Sequence, residues 1–385
     1  MRIAKIILYP DNLKHNFHTV RDMAGKGVKM CAAVKADAYG HGAIEVSKLL
    51  EEEGCDYLAV ATVAEARDLR KAGIKLPIVL LSLSLPKDYK AVCEMGLTTA
   101  VANEEHIKGY AGAAGKNKVP VNLMVDTGMG RIGCRPERAA ELAKMIAGNP
   151  SLELAGVCTH FPSSDDESEK AMSATSSQFN LFSKAVEEIK AANIDPGLIH
   201  AANSGAIIGH KESLFSMARP GISLYGYYPS GDQKRNYELK PVMEFVSKIM
   251  FIKKVNAGQS VSYGMTWTAR EPTYIATVAA GYADGISRAL SNKGRVLIGE
   301  KTYPIVGRVT MDQLMLDIGD GEGVNLYDDV VFFGPDKKGP DAEEIANIIG
   351  TIPYEVVCGV SSRLKKIYCT SRQFTKSTTV VFPGA

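Results

Sequence analysis

The sequence lacks a long charge-free apolar run. One of its longest stretches without Asp, Glu, Lys or Arg, Pro196 to His210, still carries Asn203, Ser204 and two histidines, so no membrane span is expected. It also lacks an excess of either charge. Lys plus Arg number 45 and Asp plus Glu 43, a net charge of +2, which speaks against nucleic acid or an anionic membrane surface as a partner. The seven cysteines (Cys31, Cys55, Cys93, Cys134, Cys158, Cys358 and Cys369) are odd in number, scattered and without a CxxC pair. That pattern argues against a disulfide framework or a structural zinc site and suits mostly buried thiols in a reducing compartment. The opening MRIAKIILYPDNLKHN has no small-residue cleavage site, so a secretory leader is not expected and the cytoplasm is the expected location. What remains is globular: 45% hydrophobic and 23% charged residues, too apolar for disorder. A length of 385 residues suggests about two domains.

From about residue 11 to 225 short apolar runs alternate with amphipathic stretches. DNLKHNFHTVRDMA reads as a helix with Asp11 as its N-cap, and HGAIEVSKLLEEEG as a helix stopped by Gly54. KMCAAVK (ending at Lys35), DYLAVAT, LPIVLLSL, LTTAVA, PVNLMVD, LELAGVCTH, GLIHAA and MARPGISLYG read as eight strands with helices between them. Continuous apolar strands of this kind are those of parallel sheets covered on both faces. Eight βα units favour an α/β fold, a closed (β/α)8 barrel, over a doubly wound open sheet. Residues 237–385 change texture to short strand-like runs and turns, with STTVVFPG the last run and EEIANIIG the one clear helix. A C-terminal mostly-β domain is expected there.

In a (β/α)8 barrel the residues after the strands form the active-site mouth. Those positions hold Lys35 and its KADAYGHG loop, Asp126 with Thr127, Arg131, His160, Asn203 with Ser204, and Arg219. A lone Lys or Arg there is ordinarily solvated or ion-paired; convergence from most strand ends is harder to explain as packing. A lysine in an apolar mouth is a candidate Schiff-base nucleophile. Ser204 and Gly205 open a short helix with backbone N–H groups available to an anion, and Gly221 allows close backbone approach. A lysine beside a phosphate site fits pyridoxal 5'-phosphate (PLP), and it also fits an aldolase.

The motif AAVKADAYGHG around Lys35 resembles the PLP-lysine motif of the alanine racemase family. The resemblance continues through VDTGMGRIG (from Val125), THF (around His160), ANSGA (around Asn203) and ARPGISLYG (from Ala218), and beyond the barrel through SYGMTW (around Tyr263), GYADGISR (from Gly281), GRVTMDQ (from Gly307) and PYEVVC (around Tyr354). It implies a PLP-binding barrel over 11–236, a C-terminal β domain over 237–385 joined by the N-terminal strand within 1–10, and a homodimer with shared active sites. It implies that Lys35 carries PLP and that Tyr39, Ser204, Tyr354 and the backbone of Gly205, Gly221 and Ile222 hold the phosphate, with Asn203 beside them. His160 would pack on the pyridine ring and Arg219, backed by His200, would bond its nitrogen. Arg131 would contact the cofactor's phenolic oxygen. Tyr263, from the partner subunit, would be the second base opposite Lys35, the partner's Met311–Asp312 segment would help bind the carboxylate of a small amino-acid substrate, and Tyr282 would line the entrance. The implied reaction interconverts L- and D-alanine and supplies D-alanine for peptidoglycan.

Met124 departs from the pattern. It stands two residues before the DTGMGR run, where the family commonly has a carbamylated lysine that orients the arginine. On the expectation that Arg131 is buried, an anion or another side chain would have to replace that partner. Thr310 stands where many relatives carry Cys. A serine or broad-specificity racemase is the nearest rival. A PLP decarboxylase of the same fold would place a carboxylate, not Arg219, at the ring nitrogen. A non-catalytic PLP carrier would not need Tyr263 or the MDQ segment. Cys31, Cys158 and Cys358 read as core, His15, His18 and His106 as helix-surface residues, and Trp267 as packing or interface.

Overall fold

The computed structural model describes residues 2–369; the STTVVFPG run lies outside them. The chain forms two compact units. The larger comprises Lys14–Leu224 and Tyr228–Leu239; the smaller comprises the residues up to Leu13, Tyr225–Tyr227 and the chain from Lys240. Strands are numbered along the chain.

After β1 (Lys5–Leu8), which belongs to the smaller unit, the larger unit holds β2 (Lys29–Ala33), β3 (Tyr57–Val60), β4 (Ile78–Leu80), β5 (Thr99–Val101), β6 (Val119–Met124), β7 (Leu152–Cys158), β8 (Leu198–His200) and β9 (Met217–Ala218). They form two parallel four-stranded sheets, ordered β4-β3-β2-β9 and β5-β6-β7-β8. Thr98 N–H to Ile78 O and Leu80 N–H to Thr98 O join one seam. Ser216 N–H to Ile199 O and Arg219 N–H to Ala202 O join the other. The result is the expected (β/α)8 barrel. Strands β4 and β5 are buried at every residue, and β2 and β3 at all but the first, which is why their sequences are continuously apolar rather than alternating. Four of the helices start on side-chain caps: Thr62, Asn103, Ser168 and Asn203 each accept an N–H of the first turn.

Three sequence expectations shift. The first helix begins at Pro10, whose missing N–H costs nothing at a helix start; Asp11 lies inside the first turn, where its charge suits the dipole, and is not the N-cap. The strand expected through Lys35 ends at Ala33, so Lys35 opens a turn. MARPGISLYG contributes only Met217–Ala218 as strand and then a 3-10 turn, Ile222–Tyr225, because Pro220 has no N–H to continue the ladder.

The smaller unit is mostly β. Met243–Val255 pairs on both sides, with Thr273–Val278 and with Asp329–Phe333, and the ring closes through Leu314–Asp317, Lys301–Val306 and Arg295–Ile298. Strand β1 adds antiparallel to Met243–Val246, and Lys365–Tyr368 adds parallel to β1. Val255, Val261, Ala269, Ile275 and Val306 make one core cluster, with Trp267 and Met315 packed against it, so Trp267 serves packing. EEIANIIG is helical (Ala342–Ile349), but it is not the only helix after residue 237, since Pro353–Cys358 forms another. Cys358 on that second helix is exposed, against its reading as core, while Cys31 and Cys158 are buried; none of the seven cysteines forms a disulfide.

Gly226 illustrates how tightly this unit closes. Its φ is +96°, and a methyl there would sit 2.1 Å from Lys240 O and 2.3 Å from Lys240 C. Gly226→Ala is therefore expected to destabilise the protein by at least about 2 kcal/mol, combining left-handed strain with a backbone clash. A shift of the urea midpoint measures it; a wild-type midpoint would show that the turn is not so constrained.

Candidate active site

Lys35 stands two residues beyond β2. The next four residues are left-handed: Ala36 (φ 51°), Asp37 (53°), Ala38 (53°) and Tyr39 (54°). For L-residues this conformation costs about 1–2 kcal/mol each, so the surroundings must hold it. Ala36 N–H donates to Glu65 Oε1 at 2.7 Å and Ala43 N–H to Asp37 Oδ1 at 2.8 Å. His41 Nδ1 lies 3.0 Å from Ala38 O and 2.9 Å from Tyr39 O. The turn aims Tyr39, which is buried, at the segment after β9: a methyl on Gly221 would lie 2.7 Å from Tyr39 Oη and 3.8 Å from Ser204 Oγ.

Arg219 follows β9 and is buried. Its Nη1 donates to His200 Nδ1 at 2.7 Å; its Nη2 donates to Thr159 O at 2.7 Å and Ala201 O at 3.0 Å, with His160 Nδ1 at 3.5 Å. All these acceptors are neutral, and Nε–H has no acceptor among the described residues. Burial lowers the guanidinium pKa, and an arginine stays charged through such a shift. The same charge, with burial as the larger cause, keeps His200 neutral. His160 is driven down to about 3, first by burial and then by the positive charges of Arg219, Arg131 and Lys35. These three cations and His160 therefore share one mouth.

Beside them is a cradle for an anion. Asn203 caps the helix Ser204–Gly209 through Oδ1 to Ala206 N–H, and its Nδ2 donates to Phe161 O at 3.0 Å. Asn203 thus fixes the helix start. Ser204 Oγ accepts Gly221 N–H at 2.8 Å and lies 3.0 Å from Ser223 Oγ. The Gly221 amide is therefore engaged, whereas Gly205 and Ile222 sit in first helical turns, whose N–H groups have no partner within the helix. Ser223 escaped the sequence reading because nothing in SLYG marks a ligand; only its face-to-face placement with Ser204 does.

Arg131 is exposed. It lies on a turn in which Asp126 Oδ1 accepts Gly128 and Gly130 N–H, both at 3.0 Å. The expectation of a replacement anion assumed a buried guanidinium and loses that premise in this chain. Met124 has a partner of its own: Cys158 Sγ–H donates to Met124 Sδ at 2.9 Å, between neighbouring strands.

The other expected residues belong to the smaller unit. Tyr263 is 72% exposed, Met265 73%, Met311 54% and Tyr282 43%. Tyr263 opens a turn with positive φ at Ser262, Gly264 and Met265, held by Ser262 Oγ–H to Arg308 O at 2.6 Å. Tyr354 lies on the helix Pro353–Cys358. The Met311–Asp312 segment is pinned: Tyr282 N–H bonds Thr310 O and Ala283 N–H bonds Met311 O. Asp312 pairs with Arg363 at 2.9 Å and Arg2 at 3.3 Å, and both arginines also hold the fully buried Asp284. Nothing in GYADGISR marks Asp284, because its arginine partners Arg2 and Arg363 lie 282 and 79 residues away.

A lysine on a strained turn, a cradle of small and donor groups and clustered cations at the C-terminal end of a parallel barrel form the kind of mouth at which (β/α)8-barrel enzymes bind anionic ligands. Comparison narrows this. The alanine racemase N-terminal domain profile matches residues 9–229 and the alanine racemase C-terminal domain profile matches 242–368. The alanine racemase of Treponema denticola is 45% identical over 374 residues, covering 96% of this chain and 98% of that one. The solved alanine racemase of Clostridium difficile superposes with a TM-score of 0.90 at 36% identity and 97% coverage of both chains. That of Bacillus anthracis, solved with bound L-Ala-P, gives 0.88 at 34% identity, covering 96% of this chain and 95% of that one. The chain belongs to the alanine racemase family.

His160 provides a test of this electrostatic setting. Its folded pKa is lowered, so the unfolded chain binds the extra proton as pH falls below the ordinary histidine value of about 6.5. The neutral ring's contribution is complete above that value and declines down to about 3. The His160 ring proton resonances should stay flat between pH 5 and 8. A midpoint near 6.5 would show that neither burial nor the three cations bear on it.

Proposed function

We propose that the protein interconverts L-alanine and D-alanine with PLP as cofactor, in a homodimer with shared active sites, and that its D-alanine serves peptidoglycan. The observation that supports this most strongly is that Lys35 and a buried Arg219, whose acceptors among the described residues are all neutral, both bear on His160. Absence of disulfides suits a cytoplasmic enzyme, and no described helix is long and apolar enough to cross a membrane.

The residues fit the cofactor. The cradle at Gly221 exists only because no Cβ is there, and Ser204, Ser223, Tyr39 and the N–H groups of Gly205 and Ile222 supply donors suited to a phosphate, with Tyr354 as a further contact. The unpartnered Nε–H of Arg219 suits a neutral pyridine nitrogen. A guanidinium cannot accept that nitrogen's proton as a carboxylate would. When bound, PLP supplies an electron sink that acidifies the substrate Cα–H. Lys35 Nζ holds the cofactor and moves the α proton on one face. Tyr263 Oη of the partner subunit moves it on the other, so that each group is in turn base and acid. His160 supports the ring, and Arg131 meets the cofactor's phenolic oxygen. Met311 and Asp312 of the partner subunit, the latter through its fixed segment, orient the substrate carboxylate, and Tyr282 lines the entrance. An exposed phenol on a pinned turn gains nothing from its own chain and suits work in another subunit's site.

Lys35→Ala should abolish racemisation and the visible absorbance of lysine-bound cofactor; a reducible lysine adduct elsewhere would overturn the assignment. Mixing inactive Lys35→Ala and Tyr263→Phe protomers should restore part of the activity, since one site of each hybrid carries both groups. Silence from hybrids that demonstrably exchange subunits would rule out action in trans.

A further inference from the structure

We infer that Glu65 is a positioning residue for Lys35: its carboxylate holds the left-handed turn that sets the lysine's place. Glu65 sits in the first turn of the helix Val63–Lys71, where a capping-box role alone would explain its presence. Its bonds go further. Oε2 accepts Thr62 N–H at 2.9 Å and also Ala61 N–H at 2.8 Å, just past β3. Oε1 accepts Ala36 N–H at 2.7 Å, from the residue that follows Lys35. One carboxylate thus joins the end of β3, the start of a helix and the lysine turn.

Ala36 is exposed, so without the carboxylate its N–H can turn to water, and the turn loses a restraint on a conformation that L-residues disfavour. Relaxation toward right-handed backbone would shift Lys35 at one end and Tyr39 at the other. Tyr39 Oη is the group that meets the Gly221 cradle. Loss of the bond is therefore expected to loosen both the amine and the phosphate contact.

The chemistry of the side chain allows a sharp test. Glu65 accepts three N–H groups on two oxygens. Glutamine has one acceptor oxygen, so its NH2 must face either Ala36 N–H or the pair from Ala61 and Thr62. Thr62→Ala is the control: it removes the Oγ1 that caps Glu65 N–H at 3.2 Å and leaves the carboxylate's three bonds in place. In the holoenzyme the single oxygen of Glu65→Gln goes to the two N–H groups of Ala61 and Thr62 and its NH2 faces Ala36 N–H. The variant is therefore expected to speed exchange of the Ala36 amide, accelerate cofactor dissociation and lower kcat, each by about tenfold, as fits the loss of a hydrogen bond to a charged acceptor. Glu65→Ala should move all three the same way. Thr62→Ala should lower Tm while leaving all three unchanged.

The inference rests on the reading of Lys35 as the cofactor's lysine, and the two fail separately. Activity surviving in Lys35→Ala would overturn that reading, whereas the Ala36 amide reports the turn whatever Lys35 does. Wild-type Ala36 protection in Glu65→Gln and Glu65→Ala, or equal losses of kcat and cofactor in Thr62→Ala, would overturn the role of Glu65 and leave it a helix cap.

Discussion

A guanidinium buried among neutral acceptors organises the barrel mouth. Arg219 reaches from the end of β9 to Thr159 O beyond β7 and to His200 and Ala201 at the end of β8. A buried charge without a counter-ion is tolerated only when each donor is well placed. The carbonyls and the imidazole supply that placement, so three strand ends are fixed relative to one another. The electrostatic character of the mouth follows. His200 and His160 are kept neutral, and the positive charges of Arg219, Arg131 and Lys35 all bear on His160. Such a site favours ligands that bring negative charge.

The second constraint is strain. Four successive L-residues in left-handed backbone would unwind in a free peptide. They persist because acceptors from outside the turn hold its N–H groups, and because His41 meets its carbonyls. A similar economy appears in the smaller unit at Ser262–Met265, where positive φ values present Tyr263 to solvent. In both places the backbone is held in an unfavourable form so that one side chain stands where relaxed structure would not put it.

Much of this was legible in the chain. The uninterrupted apolar strands announced a parallel sheet with both faces covered, and the residues after them marked the mouth. Asp11 and MARPGISLYG misled because proline decides both places: it starts a helix two residues early in the first and stops a ladder in the second. Cys358 misled because PYEVVC is apolar enough for a strand, yet Pro353 opens a short helix instead. Glu65, Ser223 and the Asp284 cluster were not legible. Their partners are distant in sequence, and no spacing rule connects a helix-cap glutamate to a lysine turn, or Asp284 to Arg2 and Arg363.

The sulfur contact between Met124 and Cys158 has a consequence of another kind. A carbamate at this position would form by capture of dissolved carbon dioxide and would be lost when the gas is depleted, so the charge near Arg131 would follow the medium. A thioether has no such equilibrium. With Met124 Sδ engaged by its neighbour on the next strand, the ground beneath the Arg131 turn carries the same charge in aerated and degassed solution alike.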